Sequence, residues 1–174
     1  MAVSEGPGPI VVCDAGPLIH LDELTCLDLL ADFPAVLVPA AVWEEVERHR
    51  PTALVAAGVQ LHRVQAPTAA SPEVQALARL LALHRGEIEA LTVAAANPGS
   101  LLLTDDTAAR LAATSLRMTA HGTLGLLLRG LRRGRRTKEQ LMTTLRELPS
   151  ASTLHLKRSL LDEVLRQVDE WTGS

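Results

Sequence analysis

At 174 residues, with 47% apolar and 21% charged residues, the chain suits one folded domain able to bury a core without disulfide or metal staples. A net charge of −3 excludes a protein that grips nucleic acid by bulk positive charge, and with Phe33, Trp43 and Trp171 as its aromatic residues it has no platform for stacking bases. No run approaches ~20 consecutive apolar residues, so no membrane span is expected. The start, MAVSEGPGPIVV, lacks a basic region followed by a long apolar run and does not read as a signal peptide. Cys13 and Cys26 have no CxxC spacing, which points to reduced, structural thiols in a cytoplasmic protein.

In chain order, Ile10 to Cys13 reads as a buried strand that stops at Asp14, before Gly16-Pro17. Leu18 to Leu30 has interrupted helical spacing. Ala35 to Val38 is a second strand, stopped by Pro39, which opens a helix through Val42, Val46 and His49 that ends at Pro51. Gly58 to Val64 alternates weakly, as a strand. Residues 66–72 form a loop, Glu73 to Leu83 a helix, and Gly86 to about Ala96 another. After the breaker Asn97-Pro98-Gly99 comes a strand, Leu101 to Thr104, ending at Asp105-Asp106. A helix at Ala108–Ala113, a strand at Leu116–Thr119 and a helix from Gly122 into an arginine cluster follow. Two more helices, near Lys138–Leu148 and Leu154–Trp171, are divided by Pro149 and Ser150. Strands alternating with helices predict an α/β domain with a parallel sheet covered on both faces. It spans residues 1–174, with a core at about 9–134 and a helical appendage at about 137–171.

The carboxylates carry the first functional signal. In open parallel sheets, ligands bind outside the carboxyl ends of strands, and Asp14 and Asp105/Asp106 stand at two such ends. Helix capping by a single strand-end Asp is about as frequent a use; two strands ending this way favour a site. On the helix after Pro39, Glu44 points opposite the stripe of Val42, Val46 and His49, whereas Glu45 borders its buried edge, where an acid is costly unless paired or bound to a cation. In Gly86-Glu87-Ile88-Glu89-Ala90-Leu91 the expected buried stripe is Ile88, Leu91, Thr92 and Ala95. Glu87 and Glu89 flank it on opposite sides, and geometry leaves the choice between them open. Clustered carboxylates repel unless a cation is present, and oxygen donors without His or Cys suit Mg²⁺ or Mn²⁺.

Asp14-Ala15-Gly16-Pro17-Leu18-Ile19 followed by Val38-Pro39-Ala40-Ala41-Val42-Trp43-Glu44-Glu45-Val46 resembles the opening of PIN domains, the nuclease fold of VapC-type toxins. Gly86 to Leu91, Leu102 to Arg110 and Gly122-Thr123-Leu124-Gly125 continue the resemblance in order. The likeness is to a prokaryotic PIN-like branch with GExEA, DDxxAR and GTLG segments. It implies a three-layer fold with a central parallel sheet, flanking helices and extra C-terminal helices. It implies a Mg²⁺- or Mn²⁺-dependent endoribonuclease, the toxin of a toxin–antitoxin pair, with RNA as substrate and an antitoxin protein or a second copy as partner. By position, Asp14, Glu45, Glu89 and Asp106 form the implied catalytic set, with Glu87 and Asp105 as further metal ligands. The hydroxyl that many PIN domains place soon after the first Asp is replaced here by Ala15-Gly16, so a group that orients the first acid is expected to be missing.

The cluster Arg129, Arg132, Arg133, Arg135 and Arg136 is a candidate hold on the RNA backbone, or else a solvated helix end. The six histidines form no HxxxH or HExxH pair and read as surface or packing residues, with His121, beside a strand end, the one to watch. The last helix, with Leu154, Leu161, Val164, Leu165 and Val168 on one face, packs on the domain or serves a partner. The rival reading is a catalytically silent PIN-like module that binds RNA or protein.

Overall fold

The structure, a computed structural model, describes residues 8–55 and 58–173; the segment before Gly8 lies outside them. Five short strands are present among the described residues: β1 (Val11–Cys13), β2 (Val36–Pro39), β3 (Leu61–Val64), β4 (Leu101–Leu103) and β5 (Thr119–His121). The helices are α1 (Ala15–Glu23), α2 (Ala40–His49), α3 (Pro72–Leu80), α4 (Arg85–Ala96), α5 (Thr107–Ser115), α6 (Thr123–Arg132), α7 (Lys138–Ala151) and α8 (Arg158–Asp169). Short 3₁₀ segments occupy Leu27–Asp32 and Pro51–Leu54.

All strand pairings are parallel, in the order β3-β2-β1-β4-β5. Alternate side chains feed two cores. Val11, Cys13, Val36, Val38, Leu101 and Leu103 pack with α1, α2, α6, α7 and α8, while Val12 and Leu102 pack with α3, α4 and α5. Burial on both faces is why β1 (VVC) and β4 (LLL) are apolar at every position. The result is the expected α/β three-layer fold.

From β1 the chain steps outward to β2 and β3, then returns to the far side of β1 for β4 and β5. The switch therefore lies between β1 and β4, where the diverging connections leave a crevice at the C-terminal edge. Cys13 is level with Leu103, and the Asp14 N–H donates to the Leu103 carbonyl at 2.9 Å. That register sets the residues after both strands side by side.

Several boundaries differ from the sequence reading. The helix expected at Leu18–Leu30 starts at Ala15, because Asp14 caps it, and stops at Glu23; Thr25 adopts φ +55° and the chain resumes as a 3₁₀ segment. The last strand is Thr119–His121 rather than Leu116–Thr119, because α5 runs to Ser115 and Arg117 turns with φ +56°. Pro149 and Ser150 do not divide the final helices: α7 continues to Ala151, and α8 begins at Arg158. Burial of Leu145 and Leu148 outweighs the hydrogen bond that Pro149 cannot make. In α4, Ala90, Val93 and Ala94 are buried and Ala95 is exposed, because this helix meets α2, α3, α5 and three strands instead of one flat surface.

Leu154, Leu161, Val164 and Val168 join the same buried cluster as β1 and α1, so the last helix packs on the domain. Among the described residues no helix is long and apolar enough to cross a membrane.

Candidate active site

Asp14 is 7% exposed at the end of β1. Its Oδ1 accepts the Ala15 N–H at 2.9 Å, capping α1, and its Oδ2 accepts the Thr104 hydroxyl at 2.9 Å. Thr104, itself 1% exposed, sits one residue beyond β4 and also accepts the Asp106 N–H. Burial pushes the Asp14 carboxyl from 3.8 up to about 6; the two hydrogen bonds oppose that rise, and the charges of Glu87 and Glu45 add to it. The hydroxyl expected to be missing beside the first acid is thus supplied by Thr104, ninety residues away in sequence.

Asp14 opens into a cavity of about 370 Å³ whose lining also includes Glu45, Glu87, Asp105, Asp106 and His20. Glu45 reaches it from α2. Glu87 reaches it from the first turn of α4, where its Oε2 also accepts the His84 N–H at 2.7 Å in a capping box. Gly86 lets these acids approach: a Cβ there would lie 3.3 Å from Glu45 Oε2 and 3.9 Å from Asp14 Oδ1. Leu154 and His155, between α7 and α8, form a further wall. That connection is fastened by Glu23, which accepts bonds from the Ser152 hydroxyl and from the N–H and hydroxyl of Thr153.

Asp105 lines the cavity but has both oxygens engaged. Oδ1 accepts the Thr123 N–H at 2.7 Å; Oδ2 accepts the Thr123 hydroxyl at 2.6 Å and lies 2.8 Å from His20 Nδ1. Burial pushes its carboxyl up, but the bonds from His20 and Thr123 outweigh this and hold it below the usual carboxylate range. Asp106 caps α5 through Oδ1, which accepts the Ala109 N–H at 2.7 Å, and stands exposed at the cavity rim.

The two glutamates that sequence left open are separated by the fold. Glu87 faces the cavity, whereas Glu89, preferred on register, turns to the start of α2: its Oε2 accepts the Ala41 N–H at 2.8 Å and its Oε1 meets Arg85. Glu89 lines a different surface depression with Gln65 and Thr92. Glu44 lies outside the acidic cavity, paired with Arg63 and Arg85.

The arginine cluster serves the fold as well as the surface. Arg133 and Arg135 pair with Asp32 at 2.7 and 2.6 Å, Arg136 grips both oxygens of Asp28, and Arg129 lies 5.0 Å over the Phe33 ring. These contacts tie the α6–α7 turn to the Leu27–Asp32 segment. Arg136→Ala is expected to lower stability by about 1 kcal/mol in chemical denaturation, the pair being bidentate but half open to solvent. His121 lies at the end of β5, where burial and then the charges of Arg132, Arg129 and Arg110 hold its ring below the ordinary histidine value.

Sequence reasoning missed His20 and Thr123 as members of this site. His20 carried no motif, and its partner lies 85 residues further on; only the pairing of β1 with β4 brings them together.

Among the described residues no group of three or more His, Cys, Asp or Glu side chains is already gathered as a metal cage. The donors facing the cavity are nevertheless hard carboxylate oxygens, and Mg²⁺ keeps several waters while binding through one or two carboxylates. The donor set therefore fits Mg²⁺ or Mn²⁺ in kind.

Compared with models of known families, residues 10–170 match a family described as a PIN domain. No match was found among curated proteins or among solved structures.

Proposed function

The chain belongs to the PIN-domain family, a nuclease-type fold, and on that premise we propose that it is a Mg²⁺- or Mn²⁺-dependent endoribonuclease. The observation that carries this reading is a buried carboxylate, Asp14, raised to about 6 and facing Glu45 and Glu87 across one cavity at the sheet's switch point. Such an arrangement is unfavourable for the empty protein and becomes favourable when a cation shares it.

Asp14, Glu45 and Glu87 would hold the ion, with Asp106 at the rim. Thr104 keeps Asp14 turned into the cavity, and the Leu154–His155 wall limits how a strand can enter. When bound, the ion supplies an activated water and stabilises charge on the phosphate. The further assignment, the toxin of a toxin–antitoxin pair with an antitoxin protein or a second copy as partner, rests on the resemblance in motif order, and a cytoplasmic location rests on the cysteine pattern.

Purified protein is expected to cleave RNA with Mg²⁺ or Mn²⁺ and to stop on adding EDTA; cleavage indifferent to EDTA overturns the proposal. The silent-module reading draws on the lack of a ready-made three-ligand cage. Calorimetric titration with Mn²⁺ separates the two, since absence of binding at millimolar metal selects the silent module.

Gly86→Ala provides a finer probe. Alanine is the better helix former by about 1 kcal/mol, so the fold should tolerate it. The added methyl meets Glu45 Oε2 at 3.3 Å and must displace that carboxylate. The expected outcome is an unchanged or higher melting temperature together with Mn²⁺ affinity weakened by about 10-fold or more, read by the same titration.

A further inference from the structure

We propose that His20, held by Asp105, donates the proton that the leaving oxygen takes up when the phosphodiester is cut. This role rests on the nuclease reading above and goes beyond it, because it adds a second kind of chemistry to the acid cluster.

The hydrogen bonds fix the ring. Asp105 accepts an N–H and an O–H from Thr123, and the ionised carboxylate has only acceptors to offer. His20 Nδ1, 2.8 Å from Oδ2, must therefore carry the hydrogen in that bond. Nε2 is turned away from Asp105, on a ring that lines the acidic cavity with a side chain 14% exposed. A histidine whose one nitrogen is pinned by a carboxylate keeps the other oriented for proton transfer. Asp105 is a positioning residue in this arrangement. Its oxygens are spent on Thr123 and His20, which sets it apart from Asp14, Glu45 and Glu87.

Two glycines let two groups of side chains come close to the cavity. A Cβ on Gly86 would approach Glu45 and Asp14; a Cβ on Gly16 would lie 3.6 Å from Asp105 Oδ2 and 3.6 Å from His20 Cε1. Phosphoryl displacement needs attacking and leaving oxygens on opposite sides of phosphorus. All these groups line one cavity; in this division of labour Asp14, Glu45 and Glu87 serve the attacking water, and His20, held by Asp105, serves the leaving oxygen. A bond forms from the water oxygen to phosphorus while the phosphorus–leaving-oxygen bond breaks. The departing oxygen keeps that electron pair and takes the Nε2 proton of the doubly protonated ring to become a hydroxyl, leaving the Nδ1 hydrogen in its bond to Asp105. The attacking water gives its proton to solvent, and neutral His20 is reprotonated from solvent.

The test compares leaving groups. His20→Asn keeps an amide N–H where Nδ1 donates to Asp105, and removes Nε2; His20→Gln serves as the second variant should the first lose its thermal transition. With Mn²⁺, kcat on an RNA oligonucleotide is expected to fall by about 100-fold or more. Cleavage of bis(p-nitrophenyl) phosphate, whose phenolate leaves without a proton, is expected to stay near the wild-type rate. Equal losses on both substrates, or no loss on either, overturn the role of His20 while leaving the nuclease reading intact. A wild type that cuts neither substrate overturns both.

Discussion

Asp14→Asn is expected to abolish cleavage and, in the absence of metal, to make the protein more stable. The carboxyl's raised value of about 6 means that the folded state binds a proton more tightly than the unfolded chain, where the ordinary value is 3.8. Its favourable contribution is therefore complete below pH 4 and is lost as pH rises through 6. At pH 8 that loss is about 3 kcal/mol for this nearly enclosed group. Asparagine carries no charge to desolvate, although with one carbonyl oxygen it gives up one of the two bonds from Ala15 and Thr104, worth about 1 kcal/mol. The net expectation in EDTA at pH 8 is a gain of about 2 kcal/mol, a melting temperature higher by roughly 4–8 °C. At pH 4 the gain should vanish. Adding Mn²⁺ should raise the melting temperature of the wild type and leave the variant where it was, and RNA cleavage by the variant should fall at least about 100-fold. A variant less stable than wild type at pH 8 without metal would contradict the account of Asp14 as an uncompensated charge.

Gly122→Ala is expected to be among the most damaging single-methyl additions in the chain. Gly122 has φ −100°, a conformation open to any residue, so its role is not backbone freedom. A Cβ there would stand 2.6 Å from Asp105 Oδ1 and 3.5 Å from the Thr104 carbonyl. Asp105 cannot swing aside without giving up Thr123 and His20. Overpacking and the loss of a bond to a charged group together cost about 3–5 kcal/mol, visible as a melting temperature lower by roughly 10 °C. Gly125→Ala is the control, three residues along the same helix, where the new methyl meets the His121 side chain only at ordinary contact distance, 3.5 Å. It should be neutral or slightly stabilising.

Strand and helix alternation, the strand-end aspartates and the buried-edge position of Glu45 were legible because each depends on neighbours within a few residues. Apolar triplets at Val11–Cys13 and Leu101–Leu103 signal strands covered on both faces, and a polar residue straight after each marks the sheet's edge. The choice between Glu87 and Glu89 was not legible. Two positions at similar angles to an apolar stripe differ only in what stands opposite them: Asp14 and Glu45 for one, the Ala41 N–H for the other. The same holds for the arginine cluster, whose partners Asp28 and Asp32 lie about a hundred residues upstream.

The orienting hydroxyl makes the division clear. Reading forward from Asp14, Ala15-Gly16 offers none; reading across the sheet, Thr104 offers one at 2.9 Å. By itself the sequence determined that acids would end the strands and that oxygen donors without His or Cys ligand motifs would favour a hard cation. The tertiary structure decided which acids share one cavity, which are spent on capping and salt links, and that His20 is bound to Asp105. The physical reason is one of range: propensity, capping and periodicity act along a few residues of chain. The charge, tautomer and orientation of a site group are set by partners that strand register delivers from far away.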